Sequence, residues 1–302
     1  MKPLARVAVL LLFAISCSSD SETPRTTSDV PVFLVSIDSV RADRLPAYGY
    51  PRGSTPAIDA FRRDAILYRY AFANAPLTLP SHASILTGEL PPVHGIRGDV
   101  GYKLSPDAGT IATAVRQLGY STGAAVSSYV LRRETGVGEG FDFYDDRVGV
   151  ALRPTLSERA GDDSRLALTT WLEATPGLRV FGFLHLNRPH APHVAPADAN
   201  AETGSEYDSE ISHADGVFGR FVETLKQRGL YEEALIILLS DHGEGLGDHG
   251  EEEHGLFVYR ESIHVPLLVK LPKSERRGEA VARAVGLNQV RDLVLDVIRG
   301  ER

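Results

Sequence analysis

Five stretches of this 302-residue chain are apolar without alternation: "VFLVSI" at 32–37, "STGAAVS" at 121–127, "RVFGFLHL" at 179–186, "ALIILLS" at 234–240 and "VPLLVKL" at 265–271. A strand with one wet face places a polar residue at every second position. These do not, so both of their faces must be covered. Helical periodicity lies between them. It is clearest over 205–228, where Tyr207, Ile211, Ala214, Phe218, Phe221 and Leu225 recur at steps of four and three. Further helical patterns occupy 56–66, 107–118, 162–174 and 288–299. This alternation predicts an α/β fold, a mostly parallel central sheet with helices on both faces. No internal repeat or second change of composition divides residues 31–302, which are expected to form one domain.

The first residues follow a different pattern. Lys2 and Arg6 precede "VAVLLLFAI", a run too short for a stable membrane span and followed by small residues, as in a secretory signal. Its end, "AISC", resembles a bacterial lipobox, with Ala14 in place of the usual leucine. Residues 1–17 are therefore expected to be a signal peptide with a lipobox, and Cys17 the site of lipidation. Cys17 is the sole cysteine and has no disulfide partner. Residues 18–30, "SSDSETPRTTSDV", lack large apolar groups and are expected to be a flexible tether. The implied product is exported and anchored to a membrane through lipid on Cys17, facing the periplasm or the cell surface. A net charge of −8, with no run of Lys or Arg, argues against nucleic-acid binding.

In parallel sheets ligands bind beyond the carboxyl ends of the strands. The first strand ends in "SIDSVRAD" with Asp38, and the strand at 234–240 runs into "SDHGEGLGDHGEEEHG" with Asp241 and His242. Two carboxylates and an imidazole suit one divalent cation, with Zn²⁺ or Mn²⁺ favoured and Ca²⁺ or Mg²⁺ possible. The stretch "LTLPSHASILTG" at 77–88 adds a hydroxyl, Thr78, just before a helix. Thr78 reads either as a helix cap or as a nucleophile activated by coordination to the cation. Free N–H groups at that helix start would favour an anionic ester. His185 lies inside a strand pattern and reads as a satisfied core histidine. Arg97 and Lys103 are candidates for holding substrate oxygens, with exposed ion pairs as the alternative.

"VSIDSVRADRLPAYGY", "STPAIDAF", "TLPSHASILTG", "HGIRGD", "LGYSTGAAV", "GFDFYDD", "RPHAPH", "YDSEISHADGVFGRF", "SDHGEGLGDHGEEEHG" and "YRESIHVPLLVK" follow the order of blocks in the sulfatase family, within the alkaline phosphatase superfamily. The chain resembles that family over about residues 31–272. The resemblance implies a catalytic domain in which Asp38, Asp241 and His242 bind metal and Thr78 is the nucleophile. It also implies that His190 and His254 contact the anionic head or leaving group of an ester. His82 stands where sulfatases usually have arginine, and is expected to help His190 hold the non-bridging oxygens. Two departures matter. Sulfatases proper start the nucleophile motif with cysteine or serine, later oxidised to formylglycine, and threonine cannot give that aldehyde. Ser39 replaces the second aspartate of the usual pair. With His242, these features resemble the phosphoryl-transfer members of the superfamily, in which a further histidine is spaced like His254. The expected activity is metal-dependent hydrolysis of phosphate (di)esters or sulfate esters through Thr78. A phosphoethanolamine or glycerophosphate transferase, a true sulfatase and an inactive surface-binding lipoprotein are the rivals. Family members commonly add a smaller C-terminal sheet domain, whereas about thirty residues follow 265–271 here, so a reduced C-terminal part is expected.

Overall fold

The structure is a computed structural model that describes residues 29–149, 158–191, 193 and 205–301. The expected signal, Cys17 and most of the expected tether lie outside the described residues. Asp29 and Val30, placed in the tether, are already tied to the fold: Asp29 pairs with Arg179 and the Val30 carbonyl accepts from the Tyr120 hydroxyl at 3.0 Å.

The strands are β1 (Val32–Ile37), β2 (Ile66–Tyr68), β3 (Ala71–Phe72), β4 (Ser121–Ala125), β5 (Phe143–Asp145), β6 (Val180–Leu186), β7 (Leu235–Leu239), β8 (His264–Val265), β9 (Leu267–Lys270), β10 (Ala280–Val281) and β11 (Val285–Gly286). The helices are α1 (Pro56–Asp64), α2 (Thr78–Thr87), α3 (Pro91–His94), α4 (Ile111–Gln117), α5 (Gly161–Ala174), α6 (Glu206–Gln227), α7 (Arg260–Ile263) and α8 (Val290–Arg299). Eight strands form one sheet in the order β10-β2-β9-β7-β1-β6-β4-β5, and β11-β3-β8 form a small second one. In the large sheet β1 runs parallel to both neighbours, β6 and β7, while β9 runs against β7 and β2. The sheet is mostly parallel, as the sequence predicts.

The unbroken apolar runs are explained by two separate cores. Val32 and Leu34 of β1, Phe181 and Phe183 of β6, and Leu235, Ile237 and Leu239 of β7 face one core, shared with Leu79 of α2, Ile111 of α4 and Val294 of α8. The intervening Phe33, Val35, Leu184, Ile236 and Leu238 face the other, shared with Ile58 of α1, Leu168 of α5 and Phe218 of α6. Each fully buried side chain of this size contributes about 1.5–3 kcal/mol, so exposing either face of the three central strands would remove several such contributions at once.

Helix starts are locally specified. The Thr110 side chain accepts from Thr113 N–H, which sets the start of α4 later than the 107–118 pattern suggests, and Ser205 accepts from Asp208 N–H to start α6. Close packing on the sheet requires small residues. A Cβ at Gly182 would stand 2.8 Å from the buried Phe33 ring, and one at Gly123 would stand 2.4 Å from the Trp171 ring. Gly182→Val is expected to lower stability by about 1–3 kcal/mol through overpacking, read as a lower urea midpoint at unchanged m value.

Candidate active site

The strand order places the carboxyl ends of β1 and β7 side by side, bringing Asp38 and Asp241 together across 203 positions of sequence. Both are fully buried, as is His242. His242 Nε2 lies 3.3 Å from Asp38 Oδ1, 3.5 Å from Asp241 Oδ2 and 3.1 Å from Thr78 Oγ1, and Thr78 Oγ1 is 3.5 Å from Asp38 Oδ2. The four sequence-predicted ligands therefore share one small volume. The two strand-end loops are fastened to each other. Ser240 Oγ accepts from Val40 N–H at 2.8 Å and donates to His242 O at 2.7 Å, while Tyr207 OH donates to Ser39 O and accepts from Arg41 N–H. The nearly buried Arg41 guanidinium adds ion pairs to Asp43 and Asp248. Gly243 allows the loop to pass against α7, since a Cβ there would meet Glu261 O at 1.9 Å. Ser39, where the family pattern has aspartate, sits at φ 58°, costing about 1–2 kcal/mol for a non-glycine residue. Its hydroxyl donates to Asp38 Oδ1 at 2.9 Å.

Helix α2 begins at Thr78 itself, with Leu77 as the N-cap and no side-chain cap. The cap reading of Thr78 is thereby removed, and its hydroxyl is free to face the cluster. His82 does not do what the sequence suggested. Its ring is fully buried. Nδ1 bonds Thr78 O at 2.8 Å and Nε2 meets Ser36 Oγ at 3.1 Å. A carbonyl only accepts, so Nδ1 carries the proton and Nε2 accepts from Ser36; neither nitrogen is left for substrate oxygens. Burial, with the neighbouring His185, pushes its pKa down to about 3, so it is neutral. An arginine would reach further with a permanent charge. The shorter neutral imidazole instead bridges helix and strand.

His185 is in β6 as expected and fully buried, yet it is not a satisfied core residue: Nε2 has no hydrogen-bond partner. Nδ1 accepts from Ser127 N–H at 3.4 Å, which leaves the proton on Nε2, 3.4 Å from Asp38 Oδ2. Sequence reasoning missed this neighbour of the site because its partner Ser127 comes from a different strand end.

Around the opening, the His254 ring lies tilted 4.3 Å from the His242 ring and edge-to-face 5.3 Å from that of His190. Nδ1 of His254 is 3.1 Å from Glu244 Oε1. Burial opposes protonation of His254, but Glu244 outweighs it and raises the pKa above the usual value. His190 donates from Nδ1 to Ala191 O at 2.7 Å. His193 pairs with Glu210 at 2.8 Å and faces Glu244 at 3.8 Å. Asp99 was not anticipated. Its Oδ1 accepts from Leu79 N–H at 2.7 Å, so it occupies one donor of the first turn of α2, and burial followed by the charge of Asp38 raises its pKa. Arg97 and Lys103 are exposed, and no ion pair or hydrogen bond holds either of them among the described residues.

The donor set fits a cation. His242 Nδ1 donates to Gly243 O at 2.9 Å, and burial, reinforced by His254, lowers the pKa of the ring to about 3. Its Nε2 therefore presents a bare lone pair to two carboxylates and a hydroxyl. Asp241 Oδ2 has no hydrogen-bond partner although fully buried. Burial and the adjacent Asp38 push the Asp241 carboxyl well above the ordinary range. At Asp38 burial acts in the same direction, but His185 and His242 outweigh it and hold the group below that range. Ligand atoms of Asp38, Asp241 and His242 lie within 4.8 Å of one another. A positive charge among them removes both the orphaned oxygen and the repulsion. His82, His185 and Asp241 satisfy the same distance, but both of those imidazoles turn a proton inward and cannot ligate.

The fold is an α/β fold of the alkaline phosphatase type, and the site is a candidate centre for a divalent metal ion. Residues 31–298 match the family model described as Sulfatase, and the chain belongs to the sulfatase family. It is 25% identical over 297 residues to the "Putative transferase YhbX" of Escherichia coli (strain K12), covering 85% of this chain and 48% of that one. To the steryl-sulfatase of Mus musculus it is 24% identical, covering 85% and 60%. The chain thus spans about half the length of these relatives. In fold it is similar to the phosphonate monoester hydrolase of Agrobacterium radiobacter, with a TM-score of 0.71 at 19% identity over 89% of this chain and 73% of that one.

Stripping metal with a chelator and restoring Zn²⁺ or Mn²⁺ at about a hundredfold excess over Kd is expected to add about 2.7 kcal/mol of stability. In Asp241→Asn that gain should shrink, while the metal-free form should melt higher than metal-free wild type because the buried carboxylate repulsion is gone. Thermal melts of the four samples check both signs.

Proposed function

We infer that the protein is a metal-dependent hydrolase that cleaves phosphate or phosphonate esters through Thr78, with sulfate esters as lesser substrates. The reading is carried by one observation: the Thr78 hydroxyl stands 3.1–3.5 Å from two members of a buried, acceptor-only cluster whose donor set suits a cation. A divalent ion held by Asp38, Thr78, Asp241 and His242 supplies the charge that lowers the pKa of that hydroxyl and balances the anionic ester. Two carboxylates, an imidazole and a hydroxyl favour Zn²⁺ or Mn²⁺ for it, with Ca²⁺ or Mg²⁺ possible. Thr78 Oγ1 attacks phosphorus in line, its proton leaving to solvent as the P–O bond to the leaving group breaks. His254, held protonated by Glu244, gives its Nε2 proton to the departing oxygen, and His190 beside it holds a non-bridging oxygen. In the second half-reaction His254 takes a proton from the water that attacks phosphorus, the P–Oγ1 bond breaks, and Thr78 Oγ1 regains a proton from solvent.

Phosphorus is favoured over sulfur because threonine has no route to the aldehyde hydrate that releases sulfate. The description of the Agrobacterium radiobacter structure as a phosphonate monoester hydrolase agrees with this choice. The name of the Escherichia coli relative keeps a transferase in view, and a transferase would return a modified acceptor in place of free phosphate. The reading includes export and lipid anchoring through Cys17, supported by the leader pattern of residues 1–17.

Incubation with a slowly hydrolysed phosphodiester followed by peptide mass spectrometry is expected to show phosphate on Thr78. Thr78→Ala should lose at least about 10³-fold in kcat/KM; full activity there would end the proposal. His254→Gln should cost about 10²–10⁴-fold with an alkyl leaving group and far less with 4-nitrophenol, which departs without a proton. Since protonated His254 is the active form in this reading, its raised pKa moves the fall in rate on alkyl esters to higher pH than an ordinary histidine would give, and the 4-nitrophenyl ester lacks that fall.

A further inference from the structure

Among the described residues eleven large apolar side chains are exposed, and six of them lie on two short stretches, 100–102 and 256–259. Leu256 is 82% exposed, Val258 70% and Val100 67%, with Phe257, Tyr102 and Tyr259 beside them in sequence. Both stretches are attached to the first turn of α2. The first follows Asp99, whose carboxylate is bonded to Leu79 N–H, and the second follows Gly255, where a Cβ would stand 2.8 Å from Leu77 Cδ2. His254, one residue earlier, lies against the His242 ring. The residues on either side of Thr78, Leu77 and Leu79, are thus each held against a segment that carries apolar groups facing water. Phe257 and Tyr259 pack ring to ring at 5.3 Å, and Tyr259 stacks on His249 at 4.3 Å, so the second stretch has an ordered aromatic edge. The first stretch is bracketed by the exposed cations Arg97 and Lys103, and the intervening Asp99 is turned inward to α2.

We propose that Val100, Tyr102, Leu256, Phe257, Val258 and Tyr259 form a leaving-group subsite that takes an alkyl or aryl group, so that the substrates are amphiphilic anionic esters. The proposal rests on the ester-hydrolase reading above and narrows its substrate class. Cations beside apolar side chains match a molecule with a charged head and an apolar tail. A sugar or nucleotide would instead leave Leu256, Val258 and Val100 facing hydroxyls with nothing gained. Binding energy from a tail distant from the reacting phosphorus would hold the ester against Thr78.

The test is calorimetric binding of ethyl- to octylphosphonate, which carry no ester bond, to the Zn²⁺- or Mn²⁺-loaded protein. Wild type is expected to gain about two- to fourfold in affinity per methylene. The surface variant Leu256→Ser/Phe257→Ser/Val258→Ser should bind ethylphosphonate as wild type does while losing most of that increment. If ethylphosphonate binds but affinity is flat with chain length, the subsite is refuted and the hydrolase reading stands. Failure of every phosphonate, ethylphosphonate included, overturns the anion site and this proposal with it. A flat series together with wild-type binding to phosphatidylglycerol vesicles that the triple variant loses would reassign the surface to membrane docking, and also overturns the proposal.

Discussion

Two carboxylates buried side by side are costly, and much of this structure is organised around keeping Asp38 and Asp241 in that arrangement. They are brought together by sheet order alone, because β1 has β7 as its parallel neighbour. Parallel pairing puts both carboxyl ends at the same edge, and the two cores fix the register by covering both faces of both strands. A slip of one residue would carry Phe33 and Leu34 into each other's core and turn Asp38 away. The apolar bulk of the sheet therefore determines the electrostatics of its rim.

Two buried histidines brace that rim without lying among the candidate metal ligands Asp38, Asp241 and His242. His185 turns a proton toward Asp38, and His82 ties Thr78 O to Ser36 Oγ, linking α2 to β1 directly beneath the hydroxyl. Ser39 contributes a donor to Asp38 where a second carboxylate would have added more negative charge. On the proposed reading, one charged oxygen fewer and one imidazole more would suit a smaller, more polarising ion better than a calcium-type cage would. The replacement of aspartate by serine and of arginine by histidine are thus related. Both reduce the fixed charge of the site, one negative and one positive, so the balance near the cation is conserved while its ligands change.

The parts of the fold that were legible in the sequence are those with long, uninterrupted patterns. β1, β6, β7 and α6 appear within a residue or two of expectation because continuous burial and strict helical spacing leave little else possible. β3, β10 and β11 are two residues long and β2 and β5 three, too short to carry any period, and they exist because the longer strands offer them edges. At the site, Asp38, Thr78, Asp241 and His242 were legible since each ends a strand or starts a helix. The function given to His82 was not, because position in a motif says nothing about which way a ring turns. Glu244, Asp99 and His185 lie in stretches that the sequence singles out, but their roles follow from how the loop folds back on His254, from a backbone N–H of α2 and from a neighbouring strand end, none of which a local pattern specifies.

The opening of the site shows why its supports differ from its ligands. His254 leans on Glu244, which is fully buried, so the proton of the imidazole is set by a group that never meets solvent. Asp99 satisfies one N–H of the first turn of α2, and what remains of that helix's positive end is shared between Thr78 and the cluster below it. Thr78 is only 2% exposed, and Asp38, Asp241 and His242 beneath it are fully buried, so on the proposed reading an ester would reach the rim and His254 before the Thr78 hydroxyl. A head group seated over that hydroxyl would exclude water from it, while a leaving group directed toward His254 would remain near solvent.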